Sequence, residues 1–112
     1  MTISLGTHWM ATARSGVSLN EQTVQEILMG MAETVGLTAL GEPVVREGDL
    51  GWIGVLLLAE SHASLHQNRA ESMVFVDLFS CVPFDTAQLE RFMRTQLNCE
   101  ELSVEQAARG LL

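Results

Sequence analysis

Trp52-Ile53-Gly54-Val55-Leu56-Leu57-Leu58-Ala59-Glu60-Ser61-His62-Ala63-Ser64-Leu65-His66 is the stretch on which the reading of this chain turns. Its first part is the most apolar run in the sequence and reads as a strand from Trp52 to Glu60. An unbroken apolar run of this length predicts a strand covered on both faces. It ends on Glu60, Ser61 and His62. Ionisable groups at the end of a buried strand are costly unless they are paired or used, so the triplet points to chemistry. From His62 to His66 residue types alternate. A strand there puts His62, Ser64 and His66 on one face, and Ala63 and Leu65 on the other. The same parity sets Ser61 and His66 on opposite faces, so joining them within one chain requires a turn or bulge near position 61.

Upstream, Ile3 to Ala13 reads as a first strand, closed by the turn residues Ser15-Gly16. Ser18 with Glu21 has capping-box spacing and predicts a helix start. Val24, Ile27, Leu28, Met31 and Val35 then form one apolar stripe, and Gly36 is the stop. Leu37 to Val45 reads as a strand, and Pro43 makes it an edge or a bulged one. Glu47-Gly48-Asp49-Leu50-Gly51 is turn chemistry.

Downstream, Gln67 to Glu71 reads as a loop and Ser72 to Ser80 as another strand. Pro83 and Asp85 open a second helix, with Leu89, Phe92, Met93 and Leu97 on its apolar stripe. A short strand is expected near Leu102 to Val104. The order β-α-β-β-β-β-α-β predicts an α+β fold, a two-layer sandwich of one antiparallel sheet with two helices on one face.

At 112 residues, residues 1–112 make a single domain. The net charge of −8 rests on fourteen acidic residues against six arginines and no lysine, which argues against a nucleic-acid partner. Two cysteines, Cys81 and Cys99, are too few for a disulfide framework and predict a reducing, cytoplasmic setting. No signal peptide is evident, and the longest apolar run is too short to span a bilayer, so no membrane partner is expected. His62 and His66 share a strand face but lack a third ligand, so no metal is expected.

Glu60-Ser61-His62, His66 five residues after the serine, and Cys81 fifteen further on stand at fixed offsets. In this the chain resembles the small bacterial and archaeal S-adenosylmethionine decarboxylases, which are pyruvoyl enzymes. Ser4-Leu5-Gly6-Thr7-His8 resembles that family's opening Leu-Gly-x-His. Val76-Asp77-Leu78-Phe79-Ser80-Cys81 resembles its Asp-x-Phe-Thr-Cys strand, and Glu105 to Gly110 matches its Glu-x-x-Arg-Gly loosely. The likeness covers nearly the whole chain.

The resemblance implies a cofactor made from the chain itself. Decarboxylating an amino acid leaves a carbanion that needs an electron sink. Pyridoxal phosphate normally requires a lysine, and this chain has none. The alternative is a pyruvoyl group, whose ketone forms a Schiff base with the substrate amine. By the resemblance, the Ser61 hydroxyl attacks the Glu60 carbonyl, elimination cleaves the chain between 60 and 61, and the new end becomes pyruvoyl. His66 matches the histidine that removes the Cα proton in that elimination, and Cys81 the cysteine that later protonates the product carbanion. The family pairs its sheets into dimers, which implies a homodimer here.

Where that family has Thr-Trp-Pro-Glu after its histidine, this chain has Gln67-Asn68-Arg69-Ala70. Glu47 stands where the family has a phenylalanine, and Ile53 where it has a serine that assists processing. The positions that hold adenosine therefore differ, and Glu71 and Trp52 are the candidates to replace them. S-adenosylmethionine is the substrate implied, within spermidine and polyamine synthesis. Ornithine or arginine is the alternative amino-acid-type substrate, and a non-catalytic partner subunit is the alternative role.

Overall fold

A computed structural model describes residues 5–99 and 101–110. Its elements are β1 (Gly6–Arg14), α1 (Glu21–Val35), β2 (Val44–Glu47), β3 (Trp52–Leu58), β4 (Ser61–Asn68), β5 (Met73–Ser80), α2 (Thr86–Leu97) and β6 (Glu101–Arg109). The strands form one six-stranded antiparallel sheet in the order β2-β3-β4-β5-β1-β6. Both helices lie on one face of it, so the expected two-layer α+β sandwich is the observed one.

Alternation decides which side chains meet the helices. Trp9, Ala11 and Ala13 of β1, Leu56 and Leu58 of β3, Ala63 and Leu65 of β4, and Val74, Val76 and Leu78 of β5 are buried. They form one core with Val24, Ile27, Leu28 and Met31 of α1 and Leu89, Met93 and Leu97 of α2. Each Val, Leu, Ile or Met side chain among them contributes roughly 1.5–3 kcal/mol when fully buried. Gly54 lets α1 sit close to β3, since a Cβ there would stand 2.7 Å from Val24 and 2.8 Å from Leu28.

Helix α1 begins later than its sequence suggests. The cap is Asn20, not Ser18: the Thr23 N–H donates to its side chain at 2.9 Å, and the Asn20 N–H donates back to the Thr23 hydroxyl at 2.7 Å. Val17 and Leu19 pack against the core, which holds the chain extended up to Asn20. Gly36 ends the helix in the left-handed region, as expected. In α2, Asp85 accepts from the N–H groups of Ala87 and Gln88.

Strand limits differ from expectation in several places, and β3 ends at Leu58 rather than Glu60 because Ala59 and Glu60 form the turn to β4. The first strand starts at Gly6, and the predicted start at Ile3 lies outside the described residues. The predicted strand over Leu37 to Val45 is mostly irregular, with a single bridge from Ala39 to Leu58, because Gly41 at φ 133° and Pro43 delay pairing until Val44. Strand β4 runs on to Asn68, and β6 is longer than Leu102 to Val104.

The largest correction concerns β3. It is not covered on both faces: Ile53, Val55 and Leu57 point away from the helices, and Leu57 is 63% exposed. Phe75 of β5 lies exposed on the same open face. The apolar run came from two faces of different kinds, one buried by the helices and one left open.

Candidate active site

The turn between β3 and β4 is two residues long, Ala59 and Glu60. Glu60 adopts φ 61°, the left-handed region that a residue with a side chain rarely enters. This tight turn presents the peptide link between Glu60 and Ser61 at the rim of the sheet. The carbonyl of Glu60 accepts a hydrogen bond from the backbone N–H of Cys81 at 3.0 Å. An N–H aimed at a carbonyl oxygen stabilises the negative charge that develops there under nucleophilic attack.

The Ser61 hydroxyl belongs to the next residue, at the start of β4 and opposite Ser80 in the ladder. It donates to the Ser80 hydroxyl at 2.6 Å and lies 3.3 Å from the carbonyl of Ala59. An open cleft of about 490 Å³ is lined by Glu60, Ser61, His62, Phe79, Cys81 and Arg109, with Leu5, Gly6 and Gly110 at its edge. Cys81 is exposed in it as a free thiol. The Arg109 guanidinium stacks over the Phe79 ring at 4.9 Å, and the His62 ring lies 5.8 Å from the same ring.

The structure thus brings Ser61, Glu60 and Cys81 together and leaves the other predicted residues elsewhere. His66 is exposed on the open face, opposite Ile53 in β3 and Phe75 in β5. Five residues of strand set it on the order of 16 Å from Ser61, and on the other side of the sheet. The β4 strand is continuous from Ser61 to Asn68, with no bulge to reverse that parity. Trp52 and Glu71 lie at the same far end as Asn68. There the Trp52 N–H donates to the Gln67 side chain at 3.2 Å, the Glu71 N–H to the Asn68 side chain at 3.2 Å, and Arg69 pairs with Glu47 at 2.7 Å.

The profile of a family described as S-adenosylmethionine decarboxylase matches residues 10–110. The chain belongs to the S-adenosylmethionine decarboxylase family. It is 28% identical over 117 residues to an S-adenosylmethionine decarboxylase proenzyme of Aquifex aeolicus, covering 100% of this chain and 86% of that one. A proenzyme of the same name from Clostridium botulinum is 23% identical over 92 residues, 81% of this chain and 79% of the relative. Its fold superposes on the crystal structure of the adenosylmethionine decarboxylase of Aquifex aeolicus with a TM-score of 0.77, at 26% identity over 97% of this chain and 93% of that one.

Within this family frame, sequence reasoning assigned no role to Ser80 or Arg109, though both lie in stretches that resemble the family's motifs. The signal for Ser80 was available in the pairing register, which puts it directly across from Ser61. Arg109 lies in the stretch that matches the family's Arg-Gly pair, but its place in the fold had no local signal. It reaches the cleft because β6 pairs with β1, placing Arg109 opposite Gly6.

Proposed function

We propose that this chain is a self-processing, pyruvoyl-dependent decarboxylase that acts on S-adenosylmethionine in polyamine (spermidine) biosynthesis. The observation that carries this reading is the Glu60–Ser61 link itself. A left-handed turn residue, a carbonyl held by an N–H and a hydroxyl on the next residue are what an N-to-O acyl shift requires.

The residues present also fit a pyruvoyl group at position 61. A break after Glu60 severs a two-residue turn, while β3 and β4 stay paired through Leu58 and Ser61 and β4 stays paired to β5. The new end would stay fixed in the ladder beside the Cys81 thiol. The pyruvoyl group supplies the electron sink for decarboxylation. Cys81 is then the proton donor to the reacting carbon, and among the described residues Arg109 is the one arginine of the cleft lining, suited to a carboxylate.

His66, Trp52 and Glu71 enter this reading through a homodimer. The open face carries Ile53, Val55, Leu57 and Phe75, which a second sheet would remove from water. A two-fold axis crossing β4 near Ser64, between facing sheets, lays the 66 end of one β4 over the 61 end of the other. Each site then takes Ser61 and Cys81 from one copy and His66, Trp52 and Glu71 from the other. His66 serves as the base in elimination, and Ile53 beside it marks the missing processing serine. The two free thiols fit a cytoplasmic protein.

A second substrate class has a specific observation behind it. The Arg69–Glu47 ion pair and Asn68 occupy the region where the resembled family places its adenine-stacking rings. That favours ornithine or arginine, which carry no nucleoside. Release of labelled CO2 from S-adenosylmethionine, ornithine and arginine, each with wild type and Ser61→Ala, tests the assignment. Turnover of one substrate by wild type alone supports it. No release from any of them by a chain that stays whole supports the non-catalytic partner role instead.

A further inference from the structure

We infer that Ser80 is a positioning residue for self-cleavage, and that its buried hydroxyl fixes the Ser61 hydroxyl in the orientation that attacks Glu60. The inference rests on the self-processing reading above and adds a residue to it.

A serine hydroxyl has one proton to give and two lone pairs to accept with. Ser80 is 1% exposed, so water does not share these roles. Its proton goes to the carbonyl of Val82 at 2.8 Å. One lone pair takes the N–H of Val82, also at 2.8 Å. What remains is a single lone pair, and the Ser61 hydroxyl meets it at 2.6 Å. Ser61 is therefore obliged to donate. Its own lone pairs are left free, and free lone pairs are what a nucleophile needs. The same short segment supplies the Cys81 N–H on the Glu60 carbonyl at 3.0 Å. Nucleophile and electrophile are thus both held by consecutive residues, Ser80 and Cys81.

The step balances within the chain. The Ser61 Oγ–C bond to Glu60 forms and the Glu60 C–N bond breaks. The hydroxyl proton ends on the Ser61 nitrogen, which becomes a free amine, and Glu60 is left as an ester. Ser80 accepts the Ser61 hydrogen bond until that proton leaves the hydroxyl, and it gains no net proton. No outside reagent enters this step.

Ser80→Thr and Ser80→Val test the inference, because the two side chains match in size and differ by one hydroxyl. Cleavage of freshly made full-length chain is followed by intact mass, with thermal unfolding of each variant as the check on folding. Ser80→Thr should cleave within about threefold of wild type, and Ser80→Val at least tenfold more slowly at an equal unfolding midpoint. The uncleaved Ser80→Val chain should also resist neutral hydroxylamine, which splits esters and leaves peptide links intact. Cleavage of Ser80→Val at the wild-type rate would overturn the inference, as would build-up of a hydroxylamine-sensitive ester, which would place its defect after the acyl shift. A wild-type chain that never splits sinks the self-processing reading itself, whereas equal splitting of wild type and Ser80→Val sinks only the role of Ser80.

Discussion

The backbone N–H of Cys81 donates to the carbonyl of Glu60 at 3.0 Å, so the residue whose thiol lines the cleft also polarises the link before Ser61. The two roles use different atoms and can be separated. Cys81→Ala keeps the N–H and loses the thiol. It should still cleave, within about tenfold of wild type, while decarboxylation by the cleaved protein falls about 10²–10⁴-fold, the usual contribution of a placed acid. Paired cleavage and CO2-release assays on one preparation check this.

Glu60 at φ 61° stores backbone strain in the uncleaved chain. The left-handed region costs an L-residue roughly 1–2 kcal/mol, and glycine escapes that cost while losing about 0.5–1 kcal/mol through its freer unfolded chain. In a Ser61→Ala background, which cannot cleave, Glu60→Gly should therefore raise unfolding stability by up to about 1 kcal/mol. Denaturant unfolding at equilibrium measures it. With Ser61 restored, Glu60→Gly should cleave more slowly than wild type.

His66 and Ser61 lie on opposite faces of one continuous strand, so His66 does not reach Ser61 within one copy, and the proposed homodimer would supply it from the second. Neither Ser61→Ala nor His66→Ala should cleave when kept alone. Mixed, the two should form heterodimers in which the His66→Ala chain cleaves, using the histidine of the Ser61→Ala copy. Mass spectrometry of the mixture identifies which chain was cut. Leu57→Asp, on the exposed face, should break the pairing and abolish this rescue.

The two thiols should differ in reactivity. Cys81 is exposed, whereas Cys99 is half-buried and burial pushes its thiol up from the ordinary value, against the opposing pull of Arg94. At pH 8 the thiolate fraction of Cys99 is accordingly reduced, and iodoacetamide should label Cys81 first. Peptide mapping after timed alkylation reads the order. Because the folded state disfavours the Cys99 thiolate, its contribution to stability is complete below the ordinary thiol pKa and is lost as pH rises through the raised one.

Much of this was legible in the sequence because it follows from local rules. The helical stripes of Val24–Met31 and Leu89–Leu97, the stop at Gly36 and the two-period alternation around Ala63 and Leu65 each depend on neighbours a few residues away. The α1 cap was misplaced because Ser18–Glu21 and Asn20–Thr23 have the same spacing, and only packing of Val17 and Leu19 chooses between them. The open face of β3 was hidden for a related reason. A run such as Ile53-Gly54-Val55-Leu56-Leu57 does not state whether its second face is covered by a helix or awaits another sheet. In the site, Ser61, Glu60 and Cys81 follow from fixed offsets. Ser80 and Arg109 lie in stretches that resemble the family's motifs, but their approach to Ser61 and the cleft depends on the register of β4 on β5 and of β6 on β1, which no local pattern specifies.

The most direct measurement is the intact mass of the purified wild-type chain after prolonged incubation at neutral pH. The account predicts two chains, one ending at Glu60 and one beginning at position 61 with a carbonyl in place of its amine, and neither from Ser61→Ala. A wild-type chain that remains whole, or one that divides at any other link, would contradict it.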